Sequence, residues 1–206
     1  MSTASVLARP GAVLADLIPS PKLSASLEQG GAPTRVRDAA LVLGGAVLTG
    51  LAAQIAVPVP GSPVPVTGQT FAALLVGTAL GARRGVLSLA LYAVAGVVGV
   101  PWFAGGGSGA GAVSFGYVLG MILASAAVGA LARRGADRSP LRMAGTMLLG
   151  EAIIYAVGVP YLALAAHLSL TQAIAAGLTP FLLGDALKAA LAMGALPTAW
   201  KLATKR

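Results

Sequence analysis

The sequence predicts an all-α membrane protein, a bundle of six transmembrane helices with its N- and C-termini cytoplasmic. Three observations lead there. Of 206 residues, 57% are hydrophobic and 10% charged, against roughly 45–50% and 25% in soluble domains. So few charges cannot coat a soluble fold, and the apolar excess must face lipid. Next, uncharged stretches of helical length recur, broken by prolines, glycines or paired arginines. Finally, the cations segregate. Counted from a cytoplasmic N-terminus, the inner segments receive Arg9, Lys22, Arg35 and Arg37, then Arg83 and Arg84, then Arg133, Arg134, Arg138 and Arg142, then Lys201, Lys205 and Arg206. That is thirteen of fourteen basic residues, as the positive-inside rule requires. Nucleic-acid binding is the rival reading of a net charge of +8. Cations spaced by about twenty apolar residues cannot form one binding patch.

Residues 1–34 hold Pro10, Pro19, Pro21 and Pro33, and their longest apolar run stops at Asp16. That is too short for a signal-peptide core, and the segment is expected to be a disordered cytoplasmic tail. Residues 35–206 form the six-helix membrane domain. The first span covers residues 39–57 and is broken by Pro58, Pro60, Pro63 and Pro65. The second covers about 66–80 and ends at Arg83-Arg84; the third covers 86–100 and is closed by Pro101. After a glycine-rich stretch the fourth covers 113–132. The fifth covers 143–166, interrupted by Pro160, and residues 169–176 read as a short interfacial helix. Thr179-Pro180 makes a cap-plus-N1 start for the sixth, which reaches about Trp200.

Spans two and three hold only about 15 residues, roughly 22 Å against a ~30 Å hydrocarbon core. Their outer loops, 58–68 and 101–112, carry no charge. Such loops can fold inward, and irregular backbone at that depth lines a cavity or is buried in protein. Thin bilayer or simple tilt is the plainer alternative. Three ionisable residues lie within spans: Glu151, Asp185 and Lys188. Intramembrane charges are costly and commonly mark a site. Asp185 and Lys188, at i and i+3, share one helical face, about 7.5 Å inside the outer end of the sixth helix. Glu151, nine residues after Arg142, fits the inner half of the fifth, close enough to the surface to snorkel or pair there. The run from Gly105 to Gly111 can bring backbone N–H groups to an anion. No G-x-x-x-x-G-K-[ST] occurs in the chain, so nucleotide binding is not expected. Small-xxx-small pairs on the first helix, Ala40/Gly44 and Ala46/Gly50 above all, offer a partner interface, with internal packing an equal alternative.

Four segments together resemble the biotin-specific substrate-binding subunits (S components, the biotin transporter family) of energy-coupling factor transporters. They are Pro63-Val64-Pro65-Val66-Thr67-Gly68-Gln69-Thr70-Phe71-Ala72, Leu80-Gly81-Ala82-Arg83-Arg84-Gly85, Gly99-Val100-Pro101-Trp102-Phe103-Ala104-Gly105-Gly106, and residues 178–189, which contain Pro180-Phe181, Gly184-Asp185 and Lys188. The resemblance covers about residues 38–200. It implies a multi-pass subunit of a prokaryotic plasma membrane that takes biotin from outside and works with a transmembrane coupling protein and two cytoplasmic ATPases. Asp185 and Lys188 match the family's ligand-contacting D-x-x-K. Relatives usually carry P-T-G-G-Y after the glycine-rich loop, where this chain has Val113-Ser114-Phe115-Gly116-Tyr117.

Biotin offers a cyclic urea, an apolar bicycle and an anionic tail. On the implied reading Asp185 accepts from the urea and Lys188 donates to its carbonyl or to the carboxylate. Gln69, Tyr117 and the N–H groups of Gly106 and Gly107 complete the polar set, with Trp102 or Phe103 covering the rings. No cofactor and no catalytic residue is expected. One histidine and no cysteine leave few metal ligands. Two alternatives are a solitary secondary carrier and a rhomboid-like serine protease using Ser108. The protease needs a histidine within reach of its serine, and His167 lies past the end of the fifth span.

Overall fold

The computed structural model describes residues 11–18 and 32–204. Its helices are α1 (Ala32–Ala53), α2 (Gln69–Leu80), α3 (Ala82–Val97), α4 (Phe115–Arg133), α5 (Pro140–Ala165), the short α6 (Leu170–Gly177) and α7 (Leu182–Thr204). Two short strands, β1 (Ala56–Val57) and β2 (Val66–Thr67), pair antiparallel between α1 and α2, with Ala56 opposite Thr67. Among the described residues, four helical stretches are long and apolar enough to cross a membrane: Thr34–Ala53, Phe115–Arg133, Pro140–Ala165 and Leu170–Ala203. The helices pack in one bundle whose interior holds Leu74, Met121, Met147, Ile154 and Leu162, all fully buried. Its outside is greasy, with Leu51, Leu148, Leu183, Leu187 and Leu191 exposed, the surface lipid covers rather than water.

Close approach of the central helices depends on residues without side chains. A Cβ at Gly120 of α4 would stand 2.8 Å from the carbonyl oxygen of Ile154 in α5. One at Gly129 would overlap the backbone of Ala82 at the start of α3. Membrane helices lack a hydrophobic drive between them, so backbone contact of this kind supplies the packing energy.

Several boundaries differ from expectation. Helix α2 has 12 residues, because the β1–β2 pairing holds the chain extended until Thr67. The turn into α3 falls at Gly81, whose φ of 81° is the left-handed region glycine tolerates, and the arginine pair lies inside α3. Pro160 does not interrupt α5. Pro180 opens a single 3-10 turn, Thr179–Phe181, and α7 begins after it. The interfacial helix is present as α6, with a capping box between Ser169 and Gln172.

The expected disorder of the tail is corrected for residues 11–18; its other residues before α1 lie outside the described residues. Leu14–Leu17 forms a 3-10 turn. Val13 is fully buried with Ala15 and Ala132, and Leu41 and Leu80 pack beside them. Asp16 pairs with Arg84 at 2.7 Å, and Arg84 pairs with Asp38 at 3.0 Å. An apolar run of five residues is too short to span anything, yet long enough to fill a gap between helix ends. At the same end Trp200 donates its indole N–H to Asp137 at 2.6 Å, under the guanidinium of Arg138.

Candidate functional site

The opposite end of the bundle carries a cavity of about 40 Å³, lined by residues from the β2–α2 junction, α4, α5 and α7. Four of the expected ligand residues meet there: Gln69, Tyr117, Asp185 and Lys188. Asp185 sits in the first turn of α7 and is 9% exposed. One of its carboxylate oxygens takes the Lys188 ammonium at 3.0 Å, and the other accepts from the Tyr155 hydroxyl. Lys188 also donates to the Thr70 hydroxyl at 2.9 Å, so the first turn of α2 and the second of α7 are tied together across the cavity. Gln69 is buried, and its amide nitrogen has no hydrogen-bond partner. A buried donor without a partner is rare and costly. Here the unpartnered amide belongs to a residue of the cavity wall.

Tyr117 presents its ring to the cavity, while its hydroxyl donates to Gly177 O at 2.8 Å. It anchors the α6–α7 connection and has no free proton to offer. The infolded first loop is present: Val64, Pro65 and Thr67 all line the cavity.

The second loop behaves differently. Ala104 reaches the cavity, but Trp102, Phe103, Gly106 and Gly107 are not among the residues lining it. Trp102 and Phe103 pack around Tyr92, with ring centroids 5.1 and 5.3 Å away. Trp102 exchanges hydrogen bonds with Tyr92, and Gln54, just past the end of α1, holds the carbonyls of both loop residues. They anchor the loop; they do not cover the cavity. Gly106 donates to Phe103 O at 3.0 Å and Gly107 to Ala104 O at 3.4 Å, so the two expected cradle donors serve the loop's own turn.

The interface expectation on α1 divides by face. Ala46 is fully buried, and Gly50 packs on the Trp102 ring, so this pair serves internal packing. Ala40 and Gly44 are exposed.

Sequence reasoning missed Tyr155, Thr70, Met121 and Phe181, which also line the cavity. Thr70 and Phe181 sit inside the segments that carry the family resemblance. Tyr155 is one turn from Glu151 on the same helical face, a spacing that points to it once Glu151 is known to face inward. Glu151 does face inward: it is 7% exposed, and neither carboxylate oxygen has a partner.

Comparison with known proteins agrees across sequence and fold. Residues 23–205 match the family described as "BioY family". The chain is 34% identical over 162 residues to "Probable biotin transporter BioY" of Pyrococcus horikoshii, covering 77% of this chain and 93% of that protein. It is 31% identical to "Biotin transporter BioY2" of Lactococcus lactis, covering 77% and 87%. In structure it is similar to the S-component for biotin from an ECF-type ABC transporter, with a TM-score of 0.73 at 19% identity, covering 87% of this chain and 95% of that one. At that identity the likeness speaks to the fold.

Proposed function

The chain belongs to the BioY family, and from that membership we propose that it is the biotin-binding membrane subunit of a vitamin uptake system. It is a transport protein and not an enzyme: its relatives are named transporters, which removes the protease reading of Ser108. The observation that carries the binding reading is the cavity in which Asp185, Lys188, Tyr155, Thr70 and the unpartnered Gln69 amide converge. A cyclic urea has two N–H donors and one carbonyl. Asp185 takes the donors, and Gln69 with Lys188 meets the carbonyl. Met121, Phe181 and the Tyr117 ring supply apolar walls.

The cavity is far below the roughly 300–1,000 Å³ of ordinary ligand pockets. Binding therefore displaces the 58–68 loop, whose Val64, Pro65 and Thr67 close it. The orientation we favour puts the cavity at the outer face and the arginine-rich end in the cytoplasm. Six crossings, made by α1 to α5 and α7, then leave both termini inside the plasma membrane. Short α2 and α3 are compatible with spanning because each outer loop is tied into the protein, the first through buried Val64 and the second through buried Phe103. With no nucleotide motif in the chain, uphill uptake depends on a coupling protein and two cytoplasmic ATPases. Ala40 and Gly44 are the α1 positions left open for such a partner.

Equilibrium binding of labelled biotin to detergent-purified protein, with thiamine and riboflavin as competitors, tests the reading. Retention of biotin in preference to both competitors is expected, together with its loss in Asp185→Asn and Lys188→Ala. Wild-type affinity in either variant refutes the site.

A further inference from the structure

Among the described residues, Glu151 is the buried carboxylate beside the cavity that the binding reading leaves without a task. Its burial is nearly complete, and both of its oxygens lack a hydrogen bond. An isolated buried carboxylate costs several kcal/mol on most scales, and so exposed a deficit in the native structure asks for a reason. Its surroundings supply one. Asp185 and Lys188 lie within electrostatic reach of it, and the Thr70 hydroxyl stands near enough to act on it as a donor without completing a hydrogen bond. Lys188 already bonds to Thr70 at 2.9 Å and to Asp185 at 3.0 Å. An ammonium has three protons, and two are engaged. The four-carbon stem of lysine lets that head change partner without backbone movement.

Both oxygens of Asp185 are also occupied, by Lys188 and Tyr155. Each oxygen keeps a further lone pair, so a ligand's N–H groups compete with Lys188 and Tyr155 for the carboxylate. If Lys188 gives way, it keeps the Thr70 hydroxyl and can meet the ligand's carbonyl. It loses its counter-charge, however, and a buried ammonium without one is strongly unfavourable. We propose that Glu151 is the second counter-ion of the site, receiving Lys188 by way of Thr70 when a ligand's N–H donors claim Asp185. Glu151 is thus a positioning residue that acts through Lys188. It lets the same cation be balanced both before and after the exchange. The inference rests on the proposed biotin binding, and it assigns the counter-charge that Lys188 takes when a ligand draws Asp185 away from it.

The test uses the full chain in detergent, with labelled biotin as probe and thermal unfolding measured without ligand. Glu151→Gln keeps size and removes the charge. It should weaken biotin binding about tenfold or more while leaving the ligand-free melting temperature unchanged or higher. Glu151→Asp, which restores a carboxylate on a shorter stem, should bind more tightly than Glu151→Gln. Wild-type affinity in Glu151→Gln overturns the inference, as does equal weakening in Glu151→Asp. A fall in ligand-free stability, or failure to fold, also overturns it, since the carboxylate would then be structural. Failure of the binding reading is a separate outcome, seen as no biotin retention by the unaltered protein.

Discussion

At the arginine-rich end every described carboxylate has a donor on at least one oxygen, with only Asp137 Oδ1 and Arg37 Nε left over, whereas at the cavity end Glu151 has no donor on either oxygen and the Gln69 amide nitrogen has no acceptor. Asp16 and Asp38 share Arg84, and Asp137 takes the indole of Trp200. Across the bundle, Glu151 and the Gln69 amide nitrogen stay unsatisfied. The first pattern stabilises; the second costs stability and is retained where a ligand can supply the missing partners. The difference teaches that the ends can be separated by mutation, one answering in stability and the other in binding.

The largest effect should come from the close-packed side of that comparison. Gly129→Val forces a branched side chain into the backbone of Ala82. The expected loss is about 3 kcal/mol, the upper range for overpacking, read as a lower melting temperature in detergent. The folded fraction should bind biotin with unaltered affinity. Weakened binding in that fraction would break the separation of the two ends.

Gln69→Leu sharpens the contrast because its two readouts move in opposite directions. Removing a buried, unpartnered amide should leave the melting temperature unchanged or raise it. The same change removes a donor to the ligand and should weaken biotin binding by about 2 kcal/mol, roughly thirtyfold. A stability loss with intact binding would make Gln69 a packing residue.

How far the sequence reveals this division depends on which physics each residue obeys. Cation placement and apolar run length follow from the solvent, so the helix order and the gathering of arginines at one end are legible in the residues alone. The D-x-x-K pair is legible because its spacing is local to one helix. Glu151 is not, since α5 is apolar on most sides and periodicity gives no rotation; only its neighbours show that it points inward. Trp102 and Phe103 mislead for a related reason. An aromatic beside a glycine-rich loop can cover a ligand or anchor the loop, and the choice is made by Tyr92 and Gln54, distant in sequence. Residues 11–18 are missed because five apolar residues carry no periodic signal, while the gap they fill exists only once helix ends meet.

Trp200→Phe probes the paired end more gently. The ring and its packing stay, but the donor to Asp137 goes. Burial already pushes the Asp137 carboxyl above its ordinary range, against the pull of the Trp200 hydrogen bond. The variant should lose about 1–2 kcal/mol near neutral pH. The loss should shrink as the pH falls and the carboxyl protonates, because the folded form holds that proton more tightly than the unfolded one. Biotin affinity should not change. A deficit independent of pH would assign the effect to packing.

The smallest effect belongs to Asp16, where segment 11–18 meets the bundle. Burial tends to raise its carboxyl, but the Arg84 guanidinium and the Val13 N–H outweigh that and hold it below its ordinary value. A depressed folded-state value means that the ionised carboxylate stabilises the docked segment. The contribution is complete above the unfolded value and fades as the pH falls through the folded one. The pair is partly open to water, with side chains 15% and 28% exposed, so its worth is below about 1 kcal/mol. Asp16→Asn should therefore speed amide exchange at Val13 and Ala15 only modestly at neutral pH. Its protection factors, taken relative to intrinsic exchange at each pH, should be flat across the acidic range, where the unaltered protein loses protection. An equal acid-dependent loss in Asp16→Asn would take the effect away from this pair.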